Sequence, residues 1–211
     1  MRPLDLNKPM ISLTFDDGPN LDITPLILDL LEEYNVRASF FLVGDNINTA
    51  TKKVVERAYA LGCDINNHSM THSDMTKLTA EDINQEITTL SNMIQNITGE
   101  YPTFFRPPYI AINNTMYETI NMPFICGYGC NDWDEAVTVK ERIDTVLKQA
   151  QDGAIILLHD STKNVQTVDA LKTIIPSLLD SGYQLVNLKE LFQAKGVTIS
   201  ANDTNLYSQV P

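Results

Sequence analysis

Cysteine is scarce in this chain. Of 211 residues only Cys63, Cys126 and Cys130 carry a thiol, an odd set that cannot all pair. No C-x-x-C spacing occurs among them, which argues against a cysteine-built zinc site. Each thiol reads instead as a small buried hydrophobe. Positive charge is also short: 15 Lys and Arg against 27 Asp and Glu leave a net charge of -12 at pH 7. Such a surface repels phosphate backbones and anionic bilayers, so no nucleic acid and no membrane is expected as a partner. No apolar run approaches the ~20 residues of a membrane-spanning helix. The opening MRPLDLNKPM lacks the h-region of a signal peptide, as expected of a cytoplasmic protein or of a mature or excised module. No low-complexity tract, repeat or linker divides the chain, and 1–211 is read as a single domain.

What is present is a rhythm of short apolar runs and longer amphipathic segments. MISLTF reads as a strand, followed by a helix in ITPLILDLLEEYN with apolar residues at three- and four-residue spacing. RASFFLV is a second strand, and TKKVVERAYALG a helix closed by Gly62. AEDINQEITTLSNMIQNITG is the longest helix, with Thr79 placed to cap its start and Gly99 its end. PTFFR and MPFICGY are short strands. TVKERIDTVLKQAQDG leads as a helix into AIILLHD, an apolar run of the kind buried on both faces of a sheet. VDALKTIIPSLLDSG and YQLVNL repeat helix and strand. This alternation predicts an α/β fold with a parallel sheet, open or closed into a barrel. Three polar clusters follow strands: Asp16-Asp17, Arg106 to Tyr109, and His159-Asp160. In a barrel the C-terminal strand ends carry the active site, so clusters distant in sequence converge.

Histidine is rare, three in all, and two of them, His68 and His72, stand four apart. On a helical turn that spacing projects both imidazoles from one face, the arrangement of two ligands to one divalent metal. Asp16 or Asp17 can supply a third, carboxylate ligand, and a cation there would offset the repulsion between adjacent acids. Without the histidines, Asp-Asp-Gly-Pro would read as a turn capping the helix that starts near Asp22. His159, at the mouth of a buried strand, is a candidate general acid or base, or a satisfied core histidine. Arg106 can clamp a carboxylate or form a rim salt bridge. Pro107 and Pro108 stiffen the backbone, leaving the Tyr109 N–H as a fixed donor to a developing oxyanion. Trp133, the one tryptophan, sits between Asp132 and Asp134 and suggests a pocket wall.

In order, TFDDGP, HSMTH, RPPY, NDW and LLHD resemble the five motifs of the polysaccharide deacetylases, carbohydrate esterase family 4, also called the NodB-homology domain. The resemblance runs from Leu13 to Asp160. It implies a distorted (β/α) barrel of about seven strands and one divalent metal ion, zinc or cobalt. By the same resemblance Asp16 is the catalytic base, and Asp17, His68 and His72 hold the metal. Arg106 orients Asp16, and the Tyr109 N–H beside Pro108 forms the oxyanion hole. Asp132 tunes the general acid His159, while Trp133 walls the substrate site and Leu157 lines the pocket for the acetyl methyl. Many members carry an aspartate upstream of the Asp-Trp pair, where this chain reads Cys130-Asn131.

The implied reaction is metal-dependent removal of acetyl groups from a carbohydrate polymer. The RPPY and NDW segments and the C-terminal LFQAKGVTI to LYSQVP look most like bacterial acetylxylan esterase modules, with O-acetyl xylan as substrate, and the short intervals between motifs suggest an open groove. The alternative is an N-deacetylase acting on N-acetylglucosamine units of peptidoglycan or chitin. A non-catalytic sugar-binding module need not keep acid, base and ligands together, as this chain does. A magnesium phosphoryl-transfer enzyme would need a phosphate cradle, and none is visible. An acetylated polysaccharide is therefore the expected partner. The expected form is a monomer within a larger modular enzyme, extracellular because its substrate is.

Overall fold

A computed structural model describes residues 4–200 and 203–211. The elements run β1 (Met10–Asp16), α1 (Thr24–Glu33), β2 (Ser39–Leu42), α2 (Lys52–Ala60), β3 (Asp64–Asn67), α3 (Ala80–Thr98) and α4 (Asn114–Thr119). After them come β4 (Phe124–Ile125), β5 (Tyr128–Gly129), α5 (Val139–Gln149), β6 (Ile155–His159), α6 (Val165–Asp180), β7 (Gln184–Leu185), α7 (Leu188–Ala194) and β8 (Leu206–Tyr207).

The strands pair in parallel in the order β3-β2-β1-β6-β5, with β7 beside the start of β1. On the other side Phe105 bridges Asn67 of β3 to Phe124 of β4, and β4 pairs with β8. The ring returns to β6 where the Ile155 N–H donates to the Ser208 carbonyl. The result is the distorted (β/α) barrel implied by the motifs. PTFFR contributes a single bridging residue rather than a strand, and MPFICGY splits into β4 and β5 around Gly127.

Period-two alternation along β1 divides its side chains between two environments. Ile11, Leu13 and Phe15 pack in the layer between sheet and helices with Ile27, Leu31, Leu171 and Ile175. Met10 joins Phe41, Phe104, Ile155, Leu191 and Phe192 in a second cluster inside the barrel, where α7 contributes Leu188, Leu191 and Phe192. Ser12, Thr14 and Asp16, on the same face as Met10, give the interior its polar line toward the strand ends. The helix ends follow their sequence signals. Thr79 accepts from the Asp82 N–H, Gly99 takes φ 83°, and Thr138 with Glu141 closes a capping box on α5.

Candidate active site

The polar groups collect at the C-terminal ends of β1, β3 and β6. Asp16 ends β1 in register with His159 at the end of β6, so the two side chains share one face of adjacent strands. A continued strand would send Asp17 the opposite way. It does not, because Asp17 takes φ 75°, in the left-handed region. That one backbone reversal brings both carboxylates to His68, whose Nε2 lies 3.7 Å from Asp16 Oδ2 and 3.6 Å from Asp17 Oδ1.

The turn is held from β6. Asp160 donates its N–H to the Asp16 carbonyl at 3.0 Å, accepts the Gly18 N–H on Oδ1 at 3.0 Å, and accepts the Thr24 hydroxyl on Oδ2 at 2.5 Å. Asn20 donates to the Asp160 carbonyl, and Asn46 to that of Asp17 at 2.7 Å. Burial pushes the Asp160 carboxyl up to about 7, against the Thr24 hydrogen bond and with the help of Asp17 and Asp16.

His68 and His72 do not share a helical turn, contrary to what their spacing predicts. His68 directly follows β3, and His72 lies in a loop with φ 58°. A ladder of short polar side chains bends that loop: Ser69 N–H donates to Asn67 Oδ1 at 2.8 Å, and His72 N–H to Ser69 Oγ at 2.9 Å. The rings still meet, 4.9 Å between centroids, and His72 Nε2 is 3.4 Å from Asp17 Oδ1. His68 Nδ1 lies 2.7 Å from the Arg106 carbonyl. A carbonyl only accepts, so Nδ1 carries the proton and the Nε2 lone pair faces the carboxylates. Burial lowers the His68 pKa below the usual imidazole value and outweighs Asp16 and Asp17, keeping the ring neutral for ligation.

Asp17 Oδ1 is buried without a hydrogen-bond partner. It faces His68 and His72, and one donor atom from each of the three residues lies within 4.8 Å of the other two. Two ligand atoms ~2.1 Å from one ion at the tetrahedral angle stand about 3.4 Å apart. The orphaned oxygen, the two free imidazole nitrogens and their separations therefore fit a divalent metal.

Asp16 is held differently. Arg106, fully buried, donates from Nη1 to Asp16 Oδ1 at 2.5 Å, with its guanidinium 4.2 Å above the Phe41 ring. Burial pushes the Asp16 carboxyl up, but Arg106, His68 and His159 outweigh it and hold the group below its ordinary range. Gly127, at φ 95°, leaves room for this clamp: a Cβ there would come within 3.2 Å of Arg106 Nη2 and 3.0 Å of Leu157 Cβ.

His159 Nδ1 pairs with Asp132 Oδ1 at 2.8 Å, and the His159 N–H donates to Asp132 Oδ2 at 2.9 Å. Burial lowers the imidazole pKa, but the hydrogen bond and charge of Asp132, with Asp16 and Asp17, overcome this and raise it to about 9. Tyr109 follows buried Pro108 with φ 59°, and its exposed ring meets His72 edge-on at 4.7 Å. Leu157 lies two residues before His159 on the same strand face, 9% exposed. Trp133 is 64% exposed and lines, with Asp132, Arg142 and Asn164, a cavity of about 250 Å³.

Residues 4–122 match the family described as Polysaccharide deacetylase. The chain belongs to that family. The bifunctional xylanase/deacetylase of Pseudobutyrivibrio xylanivorans is 49% identical over 191 residues, covering 90% of this chain and 32% of that protein. The peptidoglycan-N-acetylmuramic acid deacetylase PdaC of Bacillus subtilis is 35% identical, covering 91% of this chain and 40% of that protein. The chain thus spans less than half the length of either relative. Among solved structures, the Xyl-CE4 domain of a multidomain xylanase from the hindgut metagenome of Trinervitermes trinervoides superposes with a TM-score of 0.94 at 45% identity, covering 97% of this chain and 98% of that one. A family 4 acetyl xylan esterase from Clostridium thermocellum, in complex with a cobalt ion, gives 0.93 at 38% identity, covering 96% and 99%.

Asp16, Asp17, His68, His72, Arg106, Tyr109, Asp132 and His159 are joined by the contacts above, whereas Trp133 lines the neighbouring cavity beside Asp132. The fold also recruits residues that the motif reading left out. Asp160 closes the LLHD motif with no role implied for it, yet it fixes the turn carrying Asp17. Asn164, Thr167 and Arg142 surround Asp132, and nothing in their local sequence marks them. At the entry to α1, Asn20 Oδ1 accepts from the Ile23 and Thr24 N–H groups at 2.7 and 3.1 Å. This leaves the two aspartates free of the capping role.

Proposed function

We propose that this chain is a catalytic module that hydrolyses O-acetyl groups on xylan, with Asp17, His68 and His72 holding zinc or cobalt. The observation that carries the reading is the division of labour around one point. Three neutral or anionic donors face each other, a carboxylate is held ionised by Arg106 on one side, and an imidazole is held protonated by Asp132 on the other.

A divalent ion held by Asp17, His68 and His72 would supply polarisation of the acetyl carbonyl and a more acidic water. Asp16 Oδ2, its other oxygen fixed by Arg106, accepts the proton of the attacking water as the new C–O bond forms. The Tyr109 N–H, set by the Pro107-Pro108 turn, donates to the oxygen that gains charge. Leu157 gives the acetyl methyl an apolar contact. His159 Nε2 gives its proton to the departing sugar oxygen as the C–O bond to acetate breaks, and Asp132 stabilises the charged ring until then. The same groups serve an amide leaving group, so the choice of ester rests on likeness to the xylan-associated relatives over PdaC. The open setting of Trp133 and Tyr109 suits a polymer laid across the site. By the same reading the module works as a monomer, outside the cell, within a longer multidomain enzyme.

Acetate release from acetylated xylan and from N-acetylglucosamine oligomers, each with and without chelator, tests this. Release from xylan that stops on metal removal and returns with zinc or cobalt supports it. Activity on the amide alone, or full activity in chelator, overturns it.

A further inference from the structure

Arg142 on α5 is 1% exposed, and among the described residues its guanidinium pairs with no carboxylate. It donates from Nε to the Val137 carbonyl at 3.0 Å and from Nη2 to that of Asp134 at 3.1 Å. From Nη1 it donates to Asn164 Oδ1 at 2.6 Å and to Thr167 Oγ1 at 2.8 Å. A buried, unpaired cation is costly, so this one needs a reason.

The reason lies one hydroxyl away. Thr167 Oγ1 is 2.7 Å from Asp132 Oδ2. Arg142 only donates, so Thr167 must accept from it, and the single hydroxyl proton is directed to Asp132. Asn164 is fixed in the same way. With Oδ1 taken by Arg142, its amide nitrogen points to the His159 carbonyl at 2.9 Å and toward Asp132 Oδ2 at 3.4 Å. Arg142 thus sets the hydrogen-bond direction of both neighbours of the Asp132–His159 pair, and its charge faces that of Asp132 across Thr167.

We propose that Thr167 and Arg142 are positioning residues that hold Asp132, and through it His159, in the orientation for proton delivery to the leaving group. The idea rests on the acid role given to His159 above. With Oδ2 occupied by Thr167 and the His159 N–H, Asp132 keeps Oδ1 for the imidazole Nδ1, which leaves Nε2 on the opposite edge of the ring. Without the hydroxyl, Oδ2 loses its shortest side-chain donor and rests on the His159 N–H and the long Asn164 contact, so the carboxylate is held less firmly against the ring.

The test compares Thr167→Val, of the same shape but without the hydroxyl, with Thr167→Ser, which keeps it, in the zinc-loaded protein. On acetylated xylo-oligosaccharides, whose alkoxide needs protonation, Val is expected to lower kcat about tenfold or more, and Ser to restore most of it. On 4-nitrophenyl acetate, whose leaving group needs no acid, both variants should stay within about twofold of wild type. Zinc affinity should not change. The chain has three histidines, so the His159 Nδ1 proton is readily followed by NMR. Val should shift that resonance and Ser should restore it. Equal losses on both substrates, or no loss and no shift with Val, would overturn the proposal. If wild type cleaves neither acetylated sugar, the proposed function fails, and the Nδ1 resonance still decides the positioning role.

Discussion

Asp16 and Asp17 differ in this site by what faces them. Asp16 meets an arginine, which holds it ionised, while Asp17 meets two imidazole nitrogens and has an oxygen without a partner. Substituting each should therefore have a different effect. Asp16→Asn keeps the shape and leaves the three donor residues alone, so bound metal stays stoichiometric while kcat falls by roughly 10²–10⁴, the usual contribution of a general base. Asp17→Ala removes a ligand. Its metal affinity should fall by more than the roughly 10–100-fold that outer-shell changes cost. Metal content after dialysis, measured beside acetate release, separates the two. An Asp17→Ala protein that holds metal normally would show that the three-donor cluster is not the metal site.

At the level of elements, the long apolar strands and the capped helices were readable from the sequence because their causes are local: hydrophobic period, Thr at the start, Gly at the end. β3 was not readable. Its residues are Asp-Ile-Asn-Asn, and its burial is made tolerable by distant partners: Asn66 Oδ1 accepts the Phe104 N–H, and Asn67 Nδ2 donates to the Ile87 carbonyl. Two-residue strands such as β7 and β8 carry too little pattern to detect. The His68–His72 spacing pointed to two rings that do face each other and Asp17, but not for the helical reason, since a loop here carries the four-residue offset. The turn after β1 likewise depends on Asp160, 142 residues beyond Gly18. That dependence gives a prediction. A Cβ on Gly18 would lie 2.3 Å from Asp160 Oδ2, and this carboxylate, buried and tied to Thr24, has nowhere to go. Gly18→Ala should cost about 1–3 kcal/mol in urea unfolding as an overpacked site. It should also weaken metal binding, because the displaced turn carries Asp17. Unchanged metal affinity would mean that Asp160 does not set the ligand geometry.

On the scale of the whole molecule, the site groups link proton binding to unfolding. His159 is raised from 6.5 to about 9. A group whose folded pKa lies above its unfolded value gives stability that is full below the unfolded pKa and lost as pH rises through the folded one. Its contribution is thus complete below about pH 6.5 and gone above about 9, on the order of 3 kcal/mol in all. Asp160, raised from 3.8 to about 7, acts in the same direction at lower pH. His68, lowered by burial, acts in the opposite direction, losing stability as pH falls below its unfolded value. Cys63 and Cys130, each raised to about 12 by burial, add a further loss at alkaline pH. The His159 contribution is therefore best isolated by difference. Asp132→Asn removes the charge that does most to raise His159, while leaving the other groups in place. In chelator, the urea-unfolding gap between wild type and Asp132→Asn should be widest near pH 6 and should narrow by about 3 kcal/mol by pH 10. A gap that stays constant with pH would mean that Asp132 stabilises the fold through its bonds to Thr167 and the backbone alone, and that His159 is not held protonated.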